Sequence, residues 1–181
     1  KKSKKNIDLN FDKISVLLEI NKLALYIKFI NPELEYETVK IPLNVLKANV
    51  NLKPLLQNKI TVKKVVVKTK YLDFNAIKPA IARLDLDNFN KNIFNTIVQS
   101  KIQINADFGL NENYELNDNF NLSGKIKDTK ILYGKNHEIS ELNFSFLYNN
   151  KEKLNLQKLS LKYSDIHIKN AKIGFSKIIA P

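Results

Sequence analysis

Four stretches of the chain share one spacing of apolar residues. They are Leu9 to Val16 (LNFDKISV), Leu43 to Val50 (LNVLKANV), Ile60 to Val67 (ITVKKVVV) and Leu154 to Leu161 (LNLQKLSL). In each, two apolar positions alternate, two residues intervene, and two more apolar positions alternate. A strand points successive side chains to opposite faces, so a regular strand would split the two pairs between faces. One extra residue at the middle step, a β-bulge, restores the face and bends the strand. The middle dipeptides are Asp12-Lys13, Leu46-Lys47, Lys63-Lys64 and Gln157-Lys158. None has the Asn-Gly or Asp-Gly chemistry of a two-residue hairpin. The spacing predicts four kinked strands sharing one apolar face. Chance recurrence in a β-rich chain is the competing explanation.

The pattern between these units is also mostly strand-like. After a basic lead-in at residues 1–6, Leu23, Leu25, Ile27 and Phe29 keep one parity, with a helical turn open to Leu17 to Ala24. Asn31-Pro32 marks a turn. Pro42 has no N–H and is expected at a strand start or edge. Residues 52–58, around Pro54, read as a turn or one-turn helix. Helical spacing appears only between Asn75 and Gln99, as Ala76, Ile77, Ala80 and Ile81, with Pro79 expected in the first turn. Phe89, Ile93, Phe94 and Ile97 then form a second short stripe. From Lys101 onward the expectation is a β-meander. Gly124 is a bulge or close-approach position, and turns fall near Asn111, Gly134 and Asn149. Strands at about ten-residue spacing predict an all-β sheet structure.

Length and composition fit a single segment over residues 7–181, with a helical insertion at 75–99. The absence of Met and the abrupt ends give the expectation of an excerpt from a longer chain. There is no cysteine, which removes disulfides and thiolate metal sites. No apolar run reaches the length of a membrane-spanning helix. The net charge of +12 comes from 29 Lys and one Arg, Arg83. Such a balance suits nucleic acid or an anionic membrane surface. Nucleic-acid readers lean on arginine forks, however, and these lysines are dispersed rather than clustered. With 25 Asn as well, much of the charge reads as the codon bias of an AT-rich genome.

Candidate chemistry is sparse. His137 and His167 have no ligand-spaced partners, and the four glycines are isolated. Asp85 and Asp87 flank Leu86, a spacing open to a cation but ordinary for a solvated turn. No catalytic or metal residue is assigned, no cofactor is expected, and the chain does not read as an enzyme.

Two short helices cannot cover the apolar face of nine or ten strands. A sandwich, a closed barrel, or a curled open sheet filled by another molecule remain. The chain is glycine-poor and its strands are bent, which favours the curved, twisted, antiparallel open groove. An open trough lined by Ile, Val, Leu and Phe is unstable unless occupied. Acyl chains suit it: each buried methylene contributes about 0.8 kcal/mol, so one tail supplies roughly ten.

Two segments carry a family resemblance. The run LNVLKANVNLKPLLQNKITVKKVVVKTKYLDF has a strand pair, a short L-x-x-L turn, then alternating valines and a closing aromatic strand. The segment FNLSGKIKDTKILYGKNHEISELNFSFLYNNKEKLNLQKLSLKYSDIHI has the strand, glycine, basic strand, turn and L-x-F-x-F meander. Both resemble the AsmA-like family, which includes TamB- and YhdP-type proteins. The resemblance spans about residues 7–175. The membrane-spanning N-terminal helix of that family is not seen in this sequence. The resemblance implies a repeating β-groove in the envelope of diderm bacteria, periplasmic and anchored in the inner membrane through a missing N-terminal segment. Its groove would carry phospholipids towards the outer membrane, continuous with neighbouring segments of one parent chain.

On that reading the groove is lined by Ile60, Val62, Val65, Val67, Leu142, Phe144, Phe146, Leu156, Leu159 and Leu161. Their role is burial of phospholipid acyl chains, with rim lysines meeting phosphates as point charges. The alternative is a β-sandwich interaction module whose core is filled by its own side chains. Nucleic acid is the least favoured partner.

Overall fold

A computed structural model describes residues 7–176, apart from 23, 37–38, 56, 58, 60, 83–91, 93, 112–115, 135–136 and 150–152. The first half holds β1 (Ile7–Asn10), β2 (Lys13–Glu19), β3 (Ala24–Ile30), β4 (Glu33–Tyr36) and β5 (Val39–Val50). After α1 (Leu52–Leu55) come β6 (Val62–Thr69), β7 (Leu72–Asp73) and α2 (Phe74–Ala82). The second half is β8 (Ile97–Leu110), β9 (Leu116–Tyr133), β10 (His137–Asn149), β11 (Lys153–Tyr163) and β12 (Ile166–Ser176). All twelve strands belong to one open antiparallel sheet.

The registers reduce these strands to nine rows. Asn10 pairs with Glu33 and Lys13 with Ile30, so β1 and β2 are one row against β3 and β4. Phe29 pairs with Leu46 and Glu33 with Pro42, so β3 and β4 are likewise one row against β5. β6 and β7 both line β8, with one extra residue between Lys68 and Leu72 relative to Asn105 and Ile102. The rows follow chain order as an up-and-down meander. Asn31-Pro32, expected as a turn, only interrupts a row. Asn31 takes φ 49°, a conformation Asn tolerates better than most residues, and the pairing continues beyond it.

The interruptions line up into a crease that steps across the sheet. Side chains and displaced backbone groups replace the missing ladder bonds along it, as buried or paired backbone requires. Asn31 Nδ2 donates to Asp12 Oδ2 at 2.6 Å. Leu43 N–H donates to Pro32 O, and Lys70 N–H to Pro42 O, both at 2.9 Å. Ile104 N–H donates to Thr69 Oγ1 at 2.9 Å. Ser100 Oγ and Thr129 Oγ1 share a buried hydrogen bond of 2.6 Å. Asp128 N–H donates to Asn143 Oδ1 at 2.9 Å. In the last four strands the crease is a file of bulges, each with one left-handed residue: Asp128, Glu141, Lys158 and Asn170 (φ 52°, 51°, 54° and 56°). Bulges bend strands and increase their twist.

Three of the four expected kinks fall where the spacing placed them. β2 begins at Lys13 after a break at Phe11-Asp12. The β5–β6 register slips between Asn49–Lys64 and Val50–Val62, which puts the extra residue at Lys63. The β11–β12 register slips at Gln157-Lys158. The second unit differs. Its slip lies between Leu43 and Val45, not at Leu46-Lys47. Pro42 is also inside β5 rather than at its start. Its carbonyl accepts from Lys70, so its missing N–H points at the gap between β6 and β7, where no ladder bond is lost.

The helical expectations hold with shifted bounds. A 3-10 turn occupies Ile20–Lys22. α2 starts at Phe74, because Asp73 Oδ1 accepts from Asn75 N–H at 2.8 Å and caps the first turn. Pro79 therefore lies inside the helix rather than in its first turn. Phe94, with residues 95–96, is helical, but Ile97 to Gln99, expected in the helical section, open β8. Asp85 and Asp87, like Phe89 and Ile93, lie outside the described residues. The core forms where α2 meets the sheet: Ile77 packs with Val39 and Leu72, flanked by Ile41, Ala80, Ile81 and Ile102. Phe74 is fully buried and stacks on Phe94 at 5.9 Å.

Candidate functional site

Two neighbouring files of residues define the faces of the sheet. One file runs through cross-strand partners Ile14, Phe29, Leu46, Val67, Ala106, Leu122, Tyr148 and Leu154. Every member is apolar or aromatic. The adjacent file runs through Ser15, Lys28, Lys47, Val66, Asp107, Asn121 and Asn149. All but Val66 are polar. Side chains alternate between faces along each strand, so the sheet has one apolar and one polar face from its first row to its eighth.

The polar face is knitted by exposed pairs. Lys64 Nζ lies 2.8 Å from Asp107, and Lys130 Nζ lies 2.8 Å from Glu138. Lys47 Nζ sits 3.5 Å above the Tyr26 ring. Such pairs are worth about 0–1 kcal/mol each, so they choose a face for the lysines more than they hold the fold. His137 and His167 are exposed on β10 and β12, and His137 Nδ1 lies 2.8 Å from Tyr163 Oη. A depression of about 180 Å³ beside the crease is lined by Lys125, Lys127, Asn143 and Lys158, among others.

The apolar face is only partly covered. Ile102, on the same parity as Ala106, packs against α2, so the helix lies on the apolar side of the sheet. Away from α2 the described members of that face are mostly half-buried, with Val50 and Leu159 buried. Among the described residues, just eight apolar side chains are buried, in a chain that is 44% hydrophobic. Ile14, Val16 and Leu18 are 49%, 60% and 57% exposed. The accessible surface is 13228 Å²; a compact monomer of this mass exposes about 9,000 Å².

The expected lining residues share this face. Val62, Val65 and Val67 pair with Val50, Ala48 and Leu46 on one side, and the last two with Phe108 and Ala106 on the other. Phe144 and Phe146 pair with Ile126 and Gly124, and Leu142 with Thr129. Leu156 pairs with Phe146 and Ile173, Leu159 with Ala171, and Leu161 with Ile168. The bulge at Lys158 is what returns Leu159 and Leu161 to the face of Leu156. Leu159 is buried and the other described members are half-buried. Ile60 lies outside the described residues. Phe29, Leu46, Ala106, Phe108, Leu122 and Tyr148 belong to the same face but were not singled out. Their signal was present as alternation in Ile102 to Phe108 and in Leu25 to Phe29.

Gly124 is the close-approach position the sequence marked. A Cβ there would stand 2.5 Å from Cε1 and Cζ of Phe146 and would collide with the Gln103 carbonyl oxygen. The Phe146 ring therefore occupies the space that a side chain at Gly124 would fill.

No family model, curated protein or solved structure matches the chain. Among the described residues no cluster of His, Asp or Glu has the makings of a metal site. Among them, too, no helix is long and apolar enough to cross a membrane.

Proposed function

We propose that this chain is a groove segment of an AsmA-like lipid-transfer protein, holding phospholipid acyl chains against its apolar sheet face. The observation that carries this reading is the uninterrupted apolar file from Ile14 to Leu154 with α2 covering only part of the face. An apolar surface of this extent in water requires an occupant. A flexible acyl chain matches it, because the face offers broad apolar area with few hydrogen-bonding groups. The polar face, with its dispersed lysines, would stay in water. In the parent chain, further segments would extend the groove, and lipid would pass through the periplasm between the inner and outer membranes. The occupancy involves no bond chemistry, so no catalytic residue is assigned.

Native mass spectrometry of gently purified protein, followed by lipid extraction, tests the reading. Phospholipid adducts are expected, and they should fall away on detergent exchange. A monodisperse, stable protein free of lipid would overturn it.

A further inference from the structure

Two depressions meet where the bulges of β9, β10 and β11 lie side by side. One, of about 180 Å³, is lined by Lys125, Lys127, Asn143, Ser145 and Lys158, among others, and by no carboxylate. The other, of about 290 Å³, is lined by Asn143, Lys158, Ser160 and Lys169, among others, with Glu141 as its one carboxylate. Asn143 and Lys158 belong to both, so the two form one furrow. Lys125 pairs with Ser145 and Gln103, and Asn143 with Ser160, all on the parity of the polar face. Lysines outside the furrow have acids: Lys40 has Glu33, Lys64 has Asp107, Lys101 has Asp128 and Lys130 has Glu138. Among the described residues, Lys125, Lys127, Lys158 and Lys169 make no ion pair. Asp128, next to Lys127 in the chain, is taken by Lys101 at 3.2 Å.

Two further observations set the furrow apart from a scatter of surface lysines. The Asn143 amide is fixed at its wall: Oδ1 accepts from Asp128 N–H at 2.9 Å, and Nδ2 donates to Glu141 O at 2.7 Å. An amide nitrogen carries two donors, so one is left for a ligand. Lys158, the lysine common to both depressions, holds φ 54°. Asp128 and Asn170, in the same file of bulges, are residue types that tolerate that region; a lysine is not. Backbone outliers of this kind gather at ligand sites.

We propose that this furrow binds a phosphate-bearing anion, with Lys125, Lys127 and Lys158 around the phosphate and the Asn143 amide donating to it. Lysines serve phosphate as compact point charges. Three of them around one depression repel one another, and an anion relieves that repulsion. Charge-assisted hydrogen bonds from ammonium groups to phosphate oxygens are among the stronger ones a surface offers. The furrow is on the face opposite the apolar file, so a lipid whose tails lie on that file cannot place its head group here. The inference therefore does not depend on what occupies the apolar face. The phosphate belongs either to a soluble compound or to the head groups of a membrane lying against the polar face.

Calorimetric titration of the whole chain with pyrophosphate, and co-sedimentation with phosphatidylglycerol vesicles, test the site. Saturable binding of at least one probe is expected. Lys158→Gly should keep or raise the thermal midpoint yet weaken that binding by about tenfold. Lys125→Gln, on an exposed strand position, should weaken it to a similar degree with an unchanged far-UV spectrum. Lys40→Gln removes the same charge far from the furrow and should leave the affinity as it was. Pyrophosphate binding without vesicle binding assigns the site to a soluble phosphate compound. Vesicle binding that Lys158→Gly abolishes, and that phosphatidylcholine vesicles do not show, assigns it to head groups. Failure of both probes to saturate would overturn the proposal. So would binding that Lys40→Gln weakens as much as Lys158→Gly and Lys125→Gln do, because the net charge of +12 alone would then attract the anion.

Discussion

The Phe146 ring rests on the backbone of Gly124: a side-chain carbon at that glycine would stand 2.5 Å from two ring atoms. The contact joins β9 to β10 on the apolar face and replaces the missing side chain with aromatic area. Ile104, Gly124, Phe146 and Leu156 form one cross-strand file of the apolar face, and the ring fills the gap that the glycine leaves in it.

Gly124→Ala is therefore expected to destabilise the fold by about 1–3 kcal/mol, the usual cost of overfilling a packed site. Two groups oppose the new methyl, the Phe146 ring and the Gln103 carbonyl. Phe146→Ala removes the first and leaves the second. Urea denaturation of both single variants and the double variant should give a non-additive cycle, as neighbours in contact do. The double variant should lose less than the sum.

Lys158 tests the crease. It holds φ 54° in the middle of β11, a conformation that costs a non-glycine residue about 1–2 kcal/mol. Lys158→Val should destabilise by about that amount or more, since a β-branched residue is a poor occupant of that region. Lys158→Gly should be neutral or stabilising. Thermal melts of the two variants decide it: equal shifts would mean that the bulge moves elsewhere when challenged.

The kink at Lys63-Lys64 and the one at Gln157-Lys158 were legible because apolar residues on both sides announce the face they share. The bulge in β5 was not, because Val45, Leu46 and Ala48 are all apolar and the spacing fits two registers equally well. Local pattern cannot choose between them; the pairing of Leu43 with Thr69 does. Asn31-Pro32 misled for a related reason. Its turn chemistry is real, but the partners Asp12 and Leu43 hold the chain in its row. The break at β8 was hidden in Ile97, which suits a helical stripe as well as a strand. What placed the candidate face was parity alone, which survives every bulge because each extra residue is matched to the step in apolar spacing.

The core under α2 should respond like any other packed core. Ile77 is 8% exposed against Val39 and Leu72. Ile77→Ala is expected to cost about 2–5 kcal/mol. Loosening the helix also uncovers Ile41 and Ile102, so binding of a hydrophobic dye should rise before global unfolding. A loss of stability with no gain in dye binding would mean that α2 stays seated.

Val50 and Val67 stand on the same apolar face, yet they should answer an aspartate in opposite ways. Val50 is 2% exposed, at the far end of β5. A carboxylate there loses its water and gains no partner, so Val50→Asp should cost more than about 4 kcal/mol and unfold the chain. Val67 is half-buried between Leu46 and Ala106, in the part of the face that α2 leaves uncovered. Its carboxylate can reach water once the groove is empty. Val67→Asp should then cost about 1 kcal/mol, close to the loss of strand propensity alone. It should still abolish lipid co-purification, because a charge in the floor of the groove disfavours an acyl chain. Denaturation midpoints and extracted lipid, measured on the same preparations, separate the two effects. If Val67→Asp unfolded the protein as Val50→Asp does, the face would be a closed core and the lipid proposal would fail.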